Sequence, residues 1–223
     1  MRGNYAGLFR PETQQLDPNI NSDFDLRSLL ANRDGPLPGD RTHQVKLYGA
    51  RDWIITPEHH ITSGVSLKAR SGTPTGYLGS HPVYTLDETF ILPRGSGIRT
   101  PWEFGADLQL GYRFNIDKDK TVSATIDIFN IFNFQAVTQK DNRYTASDVL
   151  PVAGGTANAD GSVPNVIKSG ALPPPAGDDC GAAMPSAACQ AYYLQPNEVN
   201  PNFGRPTFYQ APRVFRFGLR TTF

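Results

Sequence analysis

Residues 102–115 read WEFGADLQLGYRFN, and their apolar character alternates without a break. Trp102, Phe104, Ala106, Leu108, Leu110, Tyr112 and Phe114 fall on one face of an extended chain. Glu103, Gly105, Asp107, Gln109, Gly111, Arg113 and Asn115 fall on the other. A repeat of two is the side-chain period of a β-strand. Soluble strands usually run about five or six residues. An alternation this long suits a strand tilted across a bilayer.

Other segments repeat the pattern. In residues 43–55, Val45, Leu47, Gly49 and Trp53 oppose Gln44, Lys46, Tyr48 and Asp52. Arg51 falls on the apolar face, where its long stem can carry the charge to an interface. In residues 61–70, Ile61, Ser63, Val65, Leu67 and Ala69 alternate with Thr62, Gly64, Ser66, Lys68 and Arg70. Residues 122–134 place Ala124, Ile126, Ile128, Phe132 and Phe134 together, interrupted by Asn130. Ser123, Thr125, Asp127, Phe129, Ile131 and Asn133 share the opposite face. The final segment, 212–223, sets Phe215, Phe217, Leu219 and Thr221 against Arg216, Gly218, Arg220 and Thr222, and ends on Phe223. Residues 4–9 (NYAGLF) make a sixth strand candidate. Residues 90–92 suggest a short extra strand, and residues 24–30 a helical turn.

The connections sort by length. Turns near 56–60 and 116–120 are short, whereas 10–42, 71–101 and 135–204 are long and rich in glycine and proline, of which the chain has 21 and 19. Strict alternation of short turns with long loops is the habit of outer-membrane barrels, whose periplasmic turns are short and extracellular loops long. Trp102 at one end of its strand, with Tyr112 and Phe114 at the other, suits two interfacial girdles. There is no apolar run long enough for a membrane-spanning helix. The balance of 21 basic and 21 acidic residues excludes nucleic acid as an expected partner. The expectation is therefore an all-β, antiparallel meander of about six long strands, open at both edges, with 135–204 a long extracellular loop without regular structure.

Polar residues on the strands at 102–115 and 122–134 are all odd-numbered, and opposed residues must share a face. A three-residue loop at 117–119 then places Gln109 opposite Asp127 and Arg113 opposite Ser123. Cys180 and Cys189 are near neighbours in a polar stretch. They form a local disulfide if the segment faces an oxidising space, and remain two free thiols otherwise.

Several segments in order, NYAGLF, DRTHQVKLYGARDW, GVSLKARSGTP, IRTPWEFGADLQLGYRF, TIDIFNIFNF and GRPTFYQAPRVFRFGLRTTF, resemble the C-terminal barrel of TonB-dependent outer-membrane receptors, in particular the Oar-like branch. The resemblance covers almost the whole chain. It implies a plugged barrel of about 22 strands in the outer membrane of a Gram-negative bacterium. Such a barrel captures ligand with outer loops and is energised through TonB. It also implies that this chain is the last quarter of such a barrel. The N-terminal plug, the TonB-contacting segment and the other strands would lie in a longer protein, consistent with the lack of an apolar signal core in MRGNYAGLFRPE.

On this reading Lys68, Arg70, Glu103, Asp107, Gln109, Arg113, Asp127, Arg216 and Arg220 face the lumen and the plug. Phe215, Phe217, Leu219 and Phe223 form the C-terminal barrel signature, which meets outer-membrane lipid and the barrel-assembly machinery. No catalytic residue, cofactor or metal is expected. His59 and His60 are adjacent on a strand and so point to opposite faces, a poor metal pair. Asp178 and Asp179 lack the spaced oxygen ligands of a calcium site. The competing readings are a passive barrel or adhesion protein without energised transport, and a secreted soluble β enzyme.

Overall fold

The structure, a computed structural model, describes residues 2–4 and 26–223 except 118 and 182–184. In chain order the elements are β1 (Arg2–Asn4), α1 (Arg27–Leu30), β2 (Asp34–Pro36), β3 (Gln44–Ile54), β4 (His59–Arg70), β5 (Leu78–His81) and β6 (Thr85–Phe90). There follow β7 (Glu103–Asn115), β8 (Thr121–Phe129), β9 (Val137–Lys140), β10 (Arg143–Asp148), α2 (Ala187–Tyr192), a 3-10 turn (Pro196–Glu198), β11 (Pro206–Tyr209) and β12 (Val214–Thr222). Two compact units interleave along the chain. One contains Arg41–Gly72, Pro101–Thr138 and Phe208–Phe223; the other contains Met1–Asp40, Thr73–Thr100 and Gln139–Thr207.

The first unit is a five-stranded antiparallel sheet in the order β12-β8-β7-β4-β3, so its strands are neighbours in the order in which they occur. Its two tight turns lie at the same end. One closes through Ile55 N–H to His59 O at 3.0 Å and His59 N–H to Thr56 O at 3.1 Å. The other closes through Ile116 N–H to Lys120 O at 2.8 Å. The register places Gln109 opposite Asp127 and Arg113 opposite Ser123, as the three-residue loop requires. Edge strands β3 and β12 each have one neighbour among the described residues. Of the candidate strand at 4–9 only Asn4 is described; it ends β1, which pairs with β2.

The side chains of this sheet divide cleanly by face. Leu47, Leu67 and Ala106 stand in one cross-strand row, Val65, Leu108 and Ile128 in the next, and Trp53, Ile61, Tyr112, Ala124 and Leu219 in another. Ala106 is buried, but among the described residues most larger side chains of this face stand half-buried or exposed. Leu47 is 61% exposed, Phe217 75% and Leu219 76%. A sheet in water buries such a face against a second layer. Here the apolar core belongs to the other unit.

Strand β8 stops at Phe129, five residues before the end that alternation suggests. Asn130 (φ 52°) and Asn133 (φ 54°) take left-handed conformations, which asparagine tolerates better than most side chains. The Asn130 amide donates to Phe134 O and Ala211 O, both at 2.9 Å, and its oxygen accepts from Phe134 N–H at 2.9 Å. Its backbone N–H donates to Asp107 Oδ1, also at 2.9 Å. Asn133 Oδ1 accepts from Arg213 N–H at 3.0 Å. The turn thus ties the end of β8 to the lead-in of β12. Ile131, Phe132 and Phe134 thus lie beyond the strand, where the two-face alternation no longer applies.

The second unit gives the segments around it a structure that alternation did not indicate. Strand β5 pairs with β6 and β10, and Tyr77, Ile91, Leu92, Tyr144, Val149, Val163 and Val166 form a core. Tyr77, Tyr144 and Phe203 pack ring to ring, with centroids 4.8–5.6 Å apart. Asn32, at φ 59°, donates to Phe90 O, Ile91 O and Val152 O and accepts from Gly154 N–H, joining three segments. The described residues of 135–204 are therefore ordered around non-local contacts rather than structureless. Cys180 and Cys189 are joined by a disulfide. Cys189 is buried on α2, whose N-cap Ser186 accepts from Cys189 N–H at 3.2 Å.

Two tests follow from these packings. Asn130→Ala removes three side-chain hydrogen bonds and the left-handed tolerance together. It is expected to lower the stability of the folded protein by about 3 kcal/mol in urea titration; a loss under ~0.5 kcal/mol would contradict the assigned role. His81 is 4% exposed, and its Nδ1 accepts from Val83 N–H at 3.2 Å and Tyr84 N–H at 3.4 Å. Its Nε2 therefore carries the proton and meets Ser28 Oγ at 3.0 Å. Burial holds its pKa below the usual histidine value, against the opposing pull of Asp148. The unfolded chain takes up the proton first, so this contribution is complete above about pH 6.5 and is lost as pH falls below it. His81→Gln is expected to flatten hydrogen exchange at Ile91 N–H between about pH 5 and 7 relative to wild type; an unchanged profile would contradict it.

Candidate functional site

Apart from Arg51, the charged residues of the five-stranded sheet gather with Gln109 on the face opposite the apolar one. In β4, Lys68 and Arg70 point to it; in β7, Glu103, Asp107, Gln109 and Arg113; in β8, Asp127; in β12, Arg216 and Arg220. The pairing that puts them together is the same register that expels every aliphatic side chain of β7 to the other side. Asp52 and His60 join the same face.

At the centre, Asp127 is held from both sides. Gln109 Nε2 donates to Oδ1 at 2.8 Å, and Arg216 Nε donates to Oδ2 at 2.8 Å with Nη2 at 2.7 Å. The three residues occupy one cross-strand row, so three strands are bonded through side chains as well as backbone. The Arg216 guanidinium also lies 5.3 Å from the Phe129 ring centroid and covers the one aromatic ring of β8 on this face. Towards the end of the sheet away from the tight turns, Glu103 is buried between Arg70, which donates to Oε1, and Arg41, 2.9 Å from Oε2. Asp107 receives the Asn130 N–H and has Lys68 Nζ at 4.0 Å. Towards the tight turns, Asp52 lies 3.7 Å from Arg113 and 3.9 Å from His60. Arg220 makes no ion pair among the described residues; its carbonyl accepts from Ser123 Oγ at 3.4 Å.

The wall is kept low by glycine. A Cβ on Gly105 would collide with the Lys68 stem, and one on Gly111 would meet Thr62 Oγ1 at 2.3 Å. Both long side chains and hydroxyls therefore lie flat across the strands. A shallow hollow of about 440 Å³ remains, lined by Tyr48, Gly64, Ser66, Gln109, Asp127 and Arg216.

Chemically, this is a hydrogen-bonding surface. Its carboxylates face guanidinium and ammonium groups. Among the described residues no three His, Cys, Asp or Glu side chains converge as a metal site would require. His60 faces Asp52, whereas His59 points to the apolar side, bonded to Tyr112 OH at 2.6 Å and stacked 4.9 Å from Phe114. Asp178 is engaged by Ser186 Oγ at 2.6 Å and Asp179 by Gly181 N–H at 3.0 Å.

Arg41 and Asn130 matter to this face without any periodic signal, because each acts from just outside a strand. Tyr48 and Asp52 stand on the polar face to which alternation assigned them, and His60 has the matching parity one residue before the strand read from 61. Phe215, Phe217 and Leu219 stand on the apolar face of β12, and Phe223 follows it, 92% exposed.

The apolar face carries aromatic residues at both ends. His43, Trp102 and Phe104 stack in succession at the end away from the tight turns, with Phe134 next to Phe104. Trp53, His59, Tyr112 and Phe114 occupy the other end. Trp102 and Phe114 are twelve residues apart, which is ~40 Å along a strand and ~30 Å across a bilayer at the usual barrel tilt.

Comparison with known proteins agrees with this geometry. No family model and no solved structure matches the chain. A curated protein does: the TonB-dependent transporter Oar of Myxococcus xanthus is 47% identical over 221 residues, 99% of this chain. The chain spans 20% of that relative's length. An all-β chain with one apolar face and one ion-paired face is thus similar, along almost its whole length, to one fifth of a TonB-dependent transporter.

Proposed function

We propose that this chain is the C-terminal part of the barrel of a TonB-dependent transporter in a Gram-negative outer membrane. It supplies five strands of the wall and the segments that meet ligand outside the cell. The observation that carries this reading is the uncovered apolar face of the five-stranded sheet, bounded by aromatic residues at both ends and backed by paired charges. Lipid is the solvent that stabilises such a face, and backbone groups in lipid require paired strands.

The ion-paired face then looks into the lumen. Its satisfied charges suit contact with a plug domain carried elsewhere in a longer protein, through which TonB would act. The long insertions lie on the extracellular side and the tight turns in the periplasm. Strand β12, which has one neighbour among the described residues, is the strand that the barrel-assembly machinery would engage on this reading. The chain has no enzymatic role on this reading.

The test is a pair of substitutions in the intact barrel. Leu108→Arg puts a charge on the outward face near mid-span and is expected to cost about 2–4 kcal/mol in lipid. Ser66→Arg puts the same charge on the opposite face, beside Asp107, and is expected to cost under ~1 kcal/mol. Unfolding in urea from lipid vesicles measures both. Equal costs would contradict the assignment of faces.

A further inference from the structure

Arg51 is the one formally charged side chain on the apolar face of the five described strands. No carboxylate pairs with it among the described residues. Its guanidinium lies 4.0 Å from the centroid of the Trp53 ring, so the charge leans toward the tight-turn end. The indole is itself fixed, because Trp53 Nε1 donates to Ser63 Oγ at 3.0 Å, and Ser63 stands opposite Arg51 in the register. On the other side of Arg51 the row is left open by Gly49. There a shallow hollow of about 370 Å³ runs between Ser63, Val65 and Leu108. A Cβ on Gly49 would touch Val65 Cγ1 at an ordinary 3.6 Å, so the hollow follows from the missing side chain and not from a clash. A fixed cation near the interface and an apolar slot leading from it toward mid-span fit an anionic amphiphile.

We propose that Arg51 binds the phosphate of a glycerophospholipid in the leaflet at the tight-turn end, with one acyl chain lying in the hollow over Gly49. This rests on the outer-membrane reading above and adds a lipid site to it. The guanidinium fork matches phosphate oxygens in a bidentate contact, and a ring-stacked arginine retains its outward donors for this. Tryptophan favours the same depth, at the membrane–water interface. An arginine on a lipid-facing surface is costly without a counter-charge, so an anion beside it is favoured. Charge complementarity therefore selects the phosphate headgroup.

The test uses the complete barrel that contains this chain, reconstituted in phosphatidylglycerol nanodiscs and then extracted into mild detergent. Native mass spectrometry counts the phospholipid retained. Wild type is expected to keep a bound phosphatidylglycerol that Arg51→Gln holds on the order of tenfold more weakly. Gly49→Leu fills the slot with Arg51 in place and is expected to reduce retention as well; it serves as the test if Arg51→Gln does not assemble. Unchanged retention in an assembled variant overturns the lipid site, including the case in which a carboxylate on a strand beside β3 neutralises Arg51. Heat-modifiable gel mobility and protease protection report insertion separately. Failure of wild type to insert would overturn the membrane reading itself.

Discussion

The structure depends on a sheet that is apolar on one side and has nothing in the described chain to cover it. Backbone pairing alone could be satisfied in water, but Leu47, Phe217 and Leu219 standing in the open could not. Moving such a face into hydrocarbon removes the mismatch. It also imposes a second demand, that every backbone donor and acceptor at that depth be paired with another strand. Four long strand pairings meet this demand inside the sheet. Among the described residues the outer edges of β3 and β12 have no partner, so the wall proposed here needs further strands beside them.

The opposite face solves a different problem. It carries many charges, and most of them are paired with one another. Gln109, Asp127 and Arg216 bind three strands in a row, and Arg41 and Arg70 share Glu103. Exposed ion pairs contribute little individually, so their role here is to fix side-chain directions and leave a flat, hydrogen-bonding wall. Stability of the conventional kind resides in the other unit, where Tyr77, Tyr144 and Phe203 and the aliphatic residues around them exclude water.

How far the sequence could be read depended on whether the determining contact was local. Strand β7 was legible because each of its side chains reports its own face, and the tight turn at 116–120 then set the register to Asp127 and Ser123. The end of β8 was not legible. The alternation in DIFNIFNF continues through Phe132 and Phe134, and what stops the strand is an asparagine reaching Ala211, far away in sequence. The order in residues 135–204 was hidden for the same reason. Its apolar residues have no period, and they meet Tyr77, Ile91 and Leu92 from another segment. The glycine and proline content signals irregular backbone but cannot report a shared core. At the site, parity identified the charged residues that share a face, while Arg41, placed before β3, had no parity to read.

The account turns on lipid lying against one face of β7 and the lumen lying behind the other. Single cysteines placed in turn at positions 104 to 114 of the intact barrel, spin-labelled in vesicles, measure this directly by collision with oxygen and with a water-soluble nickel complex. The account predicts a period of two: oxygen dominates at 104, 106, 108, 110, 112 and 114, and nickel at 105, 107, 109, 111 and 113. Nickel access on both sets of positions, with no alternation, would place β7 in water and contradict it.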